Sequence, residues 1–286
     1  MRHRRRISRS ASKLAEMASP IVIHVPHNAT WIPPEARAAL LLDDAELEQE
    51  QIRMTDHAAE AIFGASTRNH AVVAFPVSRL VVDPERFLED AEEPMAARGM
   101  GVIYTRTADG RALRAPPSPT QRAQLIDTWY RPHHQALNDK VNQALAWHPV
   151  VLLIDGHSFP SQALPCDLDQ SPDRPDICLG TDAFHTPDWL VEMATDHFSA
   201  SGYRVAVDRP YSGALVPAAH YRQNGNLLAL MLEVNRRCYC DESTGLPHAG
   251  LARVQRDIKA FLERAASWLC IGSQGGERRW RLSFMR

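Results

Sequence analysis

Two apolar runs in the chain end in the same way. Val150-Val151-Leu152-Leu153-Ile154 is a block of mostly branched apolar residues that stops at Asp155-Gly156-His157-Ser158, and Ile21-Val22-Ile23-His24-Val25 leads through Pro26 to His27-Asn28. A short apolar run bounded by polar or turn-forming residues reads as a buried strand. Each run therefore predicts a strand with a histidine just past its end, at the strand edge where open α/β sheets bind ligands. Further extended segments are predicted at 71–75, 78–83, 176–180, 203–207 and 227–234, the last interrupted near its end by Glu233.

Between the strands the spacing of apolar residues turns helical. Ala38, Leu41, Leu42 and Leu47 share a face over 35–51, behind Pro33-Pro34; Ala58, Ala61, Ile62 and Ala65 share one over 55–65, with Thr55 as N-cap. Residues 120–147 are helical with a kink or restart at Pro132, and further helices are predicted at 187–201 and 251–269. Strands alternating with helices predict a mainly parallel α/β sheet covered on both faces. Two stretches lack periodicity. Residues 88–119 predict a long irregular excursion with a small hairpin around 101–104 and 109–110, of the kind that usually has a function, and 158–176 predict a Pro- and Asp-rich loop.

Composition adds limits. The chain has 286 residues, 44% hydrophobic and 23% charged, with a formal net charge of -2, which fits one ordinary globular domain over 20–272 and gives no reason to expect a nucleic-acid partner. Arginine is dense only in the ends, read as a disordered basic extension over 1–19, with Met17 an alternative start, and a basic tail over 273–286. Five cysteines without regular spacing argue for a reducing compartment, and no apolar run is long enough to span a bilayer. Neither a GxGxxG nor a phosphate loop is present, so no nucleotide cofactor is expected.

The chemistry lies at the strand ends. A lone histidine there is more often a structural or substrate contact, but His27 and His157 together, with Asp56 one short helix away, favour a metal, since catalytic zinc takes three N/O ligands and leaves one position open. Glu233 follows the apolar Leu228-Ala229-Leu230-Met231-Leu232, where an ionised carboxylate is costly without a partner. It either pairs with Arg236 or Arg79, or stands near a metal as a proton acceptor. Arg79, Arg86, Arg209 and Arg236 lie beside strand ends, where converging arginines clamp carboxylates. His133-His134 is a weaker pair, because adjacent helical residues point in different directions. Ser158 lacks the glycine-flanked elbow of a serine hydrolase.

Taken in order, these segments resemble the N-formylglutamate amidohydrolase (formylglutamate deformylase) family over about 21–241. The resemblance rests on Val25-Pro26-His27-Asn28 through Ile32-Pro33, Ser78-Arg79-Leu80-Val81-Val82-Asp83 with Arg86, and Gly99-Met100-Gly101-Val102-Ile103-Tyr104. It continues in Asp155-Gly156-His157-Ser158 with Pro160, Pro210-Tyr211-Ser212-Gly213, and Leu232-Glu233-Val234-Asn235-Arg236 with Tyr239. It implies a three-layer α/β/α sandwich with a mixed, mainly parallel sheet, like the zinc-dependent carboxypeptidase-like exopeptidases, and one divalent metal, Zn2+. It also implies His27 and His157 as metal ligands, Asp56 as the carboxylate ligand, Glu233 as general base and Arg79 as a substrate or transition-state contact. Asn28, Arg86, Arg209, Ser212, Gly213, Asn235 and Arg236 are the implied substrate-binding residues. The chain departs from the family pattern in reading His27-Asn28-Ala29-Thr30 where many members have an early glycine, and in its long acidic loop with Asp167, Asp169, Asp173 and Asp176.

The expected function is metal-dependent hydrolysis of the N-acyl amide of a small acylated amino acid, N-formyl-L-glutamate giving formate and L-glutamate, in cytoplasmic histidine catabolism. The alternatives are a carboxypeptidase-like peptidase or another N-acylamino acid deacylase, and, in a different class, a catalytically silent module that binds acidic amino acids. A monomer or small homo-oligomer with no membrane partner is expected.

Overall fold

The structure, a computed structural model, describes residues 19–64 and 70–274. The expected N-terminal extension, apart from Ser19, and the expected tail beyond 274 lie outside the described residues. Strands β1 (Ile21–Val25), β2 (Ala71–Ala74), β3 (Val151–Phe159), β4 (Ile177–Gly180), β5 (Val205–Val207) and β6 (Leu227–Asn235) form one six-stranded sheet in the order β2-β1-β3-β6-β4-β5. All neighbours pair parallel except β4 and β6, which are antiparallel, so the sheet is mixed and mainly parallel. The two longest strands, β3 and β6, lie side by side at its centre and are buried along their whole length. This explains why both read as near-continuous apolar runs.

The helices are α1 (Pro34–Arg37), α2 (Asp44–Met54), α3 (Ala59–Phe63), α4 (Pro119–Leu125), α5 (Arg131–Leu145), α6 (Asp188–Ala200) and α7 (Leu251–Gln274). Strand residues alternate between faces with period two. Ile21, Ile23, Leu152, Ile154, Leu228, Leu230 and Leu232 pack with Phe63 of α3, Phe198 of α6 and Phe261 of α7. Val22, Val151, Leu153, Leu227 and Ala229 pack on the other face with Leu137 and Val141 of α5. Helices thus cover both faces, giving a three-layer α/β/α sandwich.

The same parity locates the site. His24, Asp155, His157 and Glu233 continue the alternation of Val22, Leu153 and Ala229, so the α5 face of the sheet passes from apolar to ionisable along the strands. On the opposite face, Gly156 lets α3 close onto β3: a Cβ there would lie 2.6 Å from Cδ2 of Phe63.

Several elements differ from the sequence expectation. The helix expected over 35–51 is two, because Asp43 and Glu46 form a reciprocal capping box that starts α2 afresh. Thr55, expected to cap a following helix, instead ends α2, and α3 begins only after Ala58, which has φ 59°. Asp56 therefore sits in the connection between them, where its N–H donates to the His27 carbonyl at 2.9 Å. The segment 78–83 is a set of turns, with Val81 N–H donating to the Ser78 carbonyl, and is not a strand. Pro132 is accommodated by a π-helical turn, Ile126–Tyr130, in which Arg131 N–H reaches back to the Ile126 carbonyl, so α4 and α5 run on without a break. Strand β3 continues to Phe159, which places His157 within the strand. Among the described residues no helix is long and apolar enough to cross a membrane.

Candidate active site

Three side chains bring ligand atoms together beyond the last apolar pair of the α5 face. His27 stands just past the end of β1, Asp56 in the α2–α3 connection, and His157 on β3, and all three are buried. Asp56 Oδ2 lies 3.1 Å from His157 Nδ1 and 3.5 Å from His27 Nδ1. The centroids of the two imidazole rings are 5.1 Å apart. Each histidine has a carboxylate on its far nitrogen: Asp83 Oδ1 is 2.9 Å from His27 Nε2, and Asp155 Oδ1 is 3.1 Å from His157 Nε2. A carboxylate behind a ligating imidazole fixes its tautomer and aims the other nitrogen. His27 Nδ1 is itself buried with no hydrogen-bond partner. A donor set of two imidazoles and one carboxylate, with that orphaned nitrogen, fits a divalent cation such as zinc.

Burial alone would raise the Asp56 carboxyl, but hydrogen bonds from His157 and His27 outweigh it and hold the group well below the usual carboxylate range. Its second oxygen, Oδ1, lies 3.4 Å from both the Ser158 hydroxyl and Arg236 Nη2. Asp83 is also held ionised against its burial, by Arg79 and His27. Arg79 donates Nη2 to Asp83 Oδ2 at 2.7 Å, and Nε lies 3.2 Å from both that oxygen and the Tyr104 hydroxyl, which itself donates to Asp83.

Glu233 is the register partner of His157 across the β3–β6 pairing. It is 7% exposed, and its Oε2 is buried with no hydrogen-bond partner. Burial pushes its carboxyl up to about 8; the charge of His157 pulls against this, while Asp56 and Asp155 add to it. A second group lies beside the first. His24 Nδ1 is 2.9 Å from Asp155 Oδ1 and 3.3 Å from Glu85 Oε1, and its Nε2 is 2.8 Å from His133 Nε2. Burial works against a charge on His24, but Asp155 and Glu85 raise its imidazole to about 9, whereas burial and the charge of His24 bring His133 down to about 2. His24 is therefore the donor toward His133, which accepts at Nε2.

A family model for N-formylglutamate amidohydrolase matches residues 19–240. The chain belongs to the N-formylglutamate amidohydrolase family. It is a hydrolase, and its mixed sheet is that of a solved member of this family. The crystal structure of an N-formylglutamate amidohydrolase from Ralstonia eutropha JMP134 is 25% identical, superposes with a TM-score of 0.78, and covers 89% of this chain and 95% of its own. A gene product from Agrobacterium tumefaciens, 15% identical, has a TM-score of 0.66 over 88% of this chain and 92% of its own, which shows the fold. A comparison with curated proteins finds no match.

Within this amidohydrolase fold the residues singled out in the sequence separate into groups. His27, Asp56, His157 and Glu233 meet on one face, with Arg79 beside them through Asp83. Arg86 is half-buried, 3.6 Å from Asp83 Oδ2 and 3.8 Å from Glu93 Oε1. Arg236 is buried, with donors directed to Asp56, Ser158 and the Arg53 carbonyl. Asn235 is buried with its amide on the Pro175 carbonyl, and Asn28 accepts from Glu60 N–H. Arg209 is exposed and held by Ser171 and the Asp173 carbonyl; Ser212 is exposed, and Gly213 has φ 91°. His24, Glu85 and Asp155 escaped the sequence reading, and His133 was singled out there only as half of a weaker pair. Strand parity was the available signal for two of them, since Asp155 precedes His157 by one full period and His24 shares its face. Glu85 and His133 gave no such signal, because a loop and a helix from distant sequence deliver them.

Proposed function

We propose that this hydrolase cleaves the N-acyl amide of a small acylated amino acid with a divalent metal, and that N-formyl-L-glutamate, releasing formate and L-glutamate, is its substrate. The observation that carries this reading is the convergence of His27, Asp56 and His157 beside a buried, unpaired Glu233. His27 through Nδ1, His157 through Nδ1 and Asp56 through Oδ2 are the proposed ligands. Bound there, zinc supplies Lewis-acid polarisation of the acyl carbonyl and acidifies water.

The remaining chemistry belongs to the chain. Glu233, on the same face as the ligands, accepts the proton of the attacking water and delivers it to the departing nitrogen. A carboxyl whose burial raises its pKa toward neutrality is suited to both transfers. Asp83 holds the His27 imidazole in orientation through Nε2, Asp155 stands 3.1 Å from His157 Nε2 as its charge partner, and Arg236 with Ser158 holds the outer oxygen of Asp56. Arg79 commits Nε and Nη2 to Asp83 and Tyr104, and Nη1 is the donor proposed for the substrate or the developing oxyanion. Residues 20–272 act as one domain in this proposal. A reducing cytoplasmic setting agrees with Cys166, Cys178, Cys238 and Cys240 being free thiols.

The test is formate release from N-formyl-L-glutamate by purified protein, with N-acetyl and N-carbamoyl amino acids alongside. Turnover that a chelator abolishes and zinc restores supports the reading. Preference for an acetyl or carbamoyl substrate would reassign it as another deacylase, cleavage of C-terminal peptide residues as a peptidase, and metal-replete protein inert toward all of them would overturn it.

A further inference from the structure

The two proposed histidine ligands differ at the nitrogen that faces away from Asp56. His27 Nε2 is hydrogen-bonded to Asp83 Oδ1 at 2.9 Å. His157 Nε2 is buried and makes no hydrogen bond, although Asp155 Oδ1 is 3.1 Å away and Glu85 Oε2 is 3.7 Å away. The His157 side chain is only 6% exposed, so water does not make up the loss. Asp155 Oδ1 is hydrogen-bonded instead to His24 Nδ1 at 2.9 Å. Glu85 Oε1, 3.3 Å from the same Nδ1, is a second buried atom without a hydrogen-bond partner. Four ligand-type side chains thus crowd together, and the hydrogen bonds among them satisfy one pair.

A proton on His24 Nδ1 answers Asp155 and leaves His157 Nε2 and Glu85 Oε1 unmatched. A divalent cation matches all four. With metal–ligand bonds of about 2.1 Å, tetrahedral ligands stand about 3.4 Å from one another. The separations here bracket that value: 2.9 Å from His24 to Asp155, 3.1 Å from Asp155 to His157, 3.7 Å from His157 to Glu85 and 3.3 Å from Glu85 to His24. The side chains are also held from behind, as metal ligands are. His24 Nε2 donates to His133 Nε2 at 2.8 Å, which leaves Nδ1 to coordinate. Asp155 Oδ2 accepts from Leu215 N–H at 3.1 Å, which leaves Oδ1, and Glu85 N–H is fixed on Asp83 Oδ1 at 2.9 Å. His24 and Asp155 are register partners on β1 and β3, so the sheet sets them side by side. Glu85, at 15% exposure, gives an ion its way in from solvent.

We propose that His24 Nδ1, Asp155 Oδ1, Glu85 and His157 Nε2 bind a second divalent cation, and that the His157 imidazole joins it to the cation held by His27 and Asp56. Two imidazole nitrogens and two carboxylates suit a first-row ion such as zinc. With both ions bound, His157 has given up both ring protons to solvent. The two dications are then balanced by Asp56, Asp155, Glu85 and the imidazolate. The proposal concerns metal binding alone and holds whichever acyl amino acid is cleaved.

The test is the zinc stoichiometry of the full chain, stripped with a chelator, reloaded with zinc and read by elemental analysis. Wild type is expected to hold two zinc ions per chain, and Glu85→Gln and His27→Ala one each. A single zinc in wild type that Glu85→Gln keeps and His27→Ala loses would overturn the proposal, as would two zinc ions kept by both Glu85→Gln and His24→Gln. A single zinc that Glu85→Gln loses and His27→Ala keeps would uphold the second site and remove the first. Should the variants not fold, anomalous scattering at the zinc edge from crystals of zinc-loaded wild type decides. A peak among His24, Glu85, Asp155 and His157 is expected; a single peak among His27, Asp56 and His157 would overturn the second site.

Discussion

His157 and Glu233 are paired residues on adjacent parallel strands, and they leave the same face of the sheet. One side chain is a proposed ligand and the other a buried carboxyl proposed as the base, and the backbone pairing sets the two residues side by side. Glu233→Gln keeps the shape and removes the proton-accepting oxygen. Turnover should fall by about 10²- to 10⁴-fold, the usual contribution of general acid–base catalysis. Metal content, read by elemental analysis, should stay at the wild-type level. Retained activity would remove Glu233 from the mechanism.

The same carboxyl predicts a pH dependence of stability. Its folded-state pKa is raised to about 8 from the ordinary glutamate value of 4.5, with burial as the chief cause. A raised carboxyl pKa contributes stability that is fully present below the unfolded value and is lost as pH rises through the folded value. Relative to Glu233→Gln, which cannot titrate, the metal-free wild type should therefore lose stability steadily between about pH 4.5 and 8. Urea unfolding of both proteins across that window checks the sign. A difference that is flat with pH, or that grows toward alkaline pH, would contradict the burial argument.

The central strands could be read from the sequence because β3 and β6 are buried on both faces, so their apolar residues run together. Their full length could not. Backbone pairing continues to Phe159 and Asn235, past the point where the side chains turn polar, and hydrophobicity reports side chains only. His27, His157 and Glu233 were visible as polar residues at the ends of apolar runs. Asp56 was visible only by its nearness in sequence, and the reason for its position, a backbone bond to the His27 carbonyl, is tertiary. Asp83 was read as part of a strand, whereas its carboxylate gathers His27, Arg79 and Tyr104 from three segments.

Metal uptake should release protons. Although burial opposes it, Asp155, Asp56 and Glu85 raise the His157 imidazole well above its ordinary value, so in the metal-free protein it is charged at neutral pH. A cation bound at Nδ1 must displace a proton. Calorimetric zinc titration in buffers of different ionisation heat should show at least one proton released per metal at pH 7, with affinity rising with pH. Buffer-independent heats would mean that His157 is not a ligand.

Asp83 gives a separate test of how the site is supported. Its Oδ1 fixes His27 Nε2 at 2.9 Å, while Arg79 and Tyr104 occupy Oδ2. Asp83→Asn preserves volume but weakens the orienting bond and leaves the Arg79 guanidinium without its main anion. Zinc affinity, measured by competition with a chelator, should fall by about 10- to 100-fold, as is usual when the partner of a ligating histidine is lost. Restoring full zinc occupancy should recover much of the activity, since the ligands themselves remain.

Gly156 lies between Asp155 and His157 but faces the other way, against Phe63 of α3. A Cβ at this position would lie 2.6 to 2.9 Å from three atoms of the Phe63 ring, and that ring is fully buried and cannot swing aside. Gly156→Ala must then push α3 away from β3, which overpacking places at a cost of about 1–3 kcal/mol. Helix α3 begins directly after the connection that carries Asp56, so its displacement also moves the proposed carboxylate ligand away from His157. The variant should therefore lose both melting temperature and zinc affinity. The double variant Gly156→Ala, Phe63→Leu, which makes room beside β3, should recover part of each. Loss of stability with unchanged zinc affinity would show that the Asp56 connection is held independently of α3.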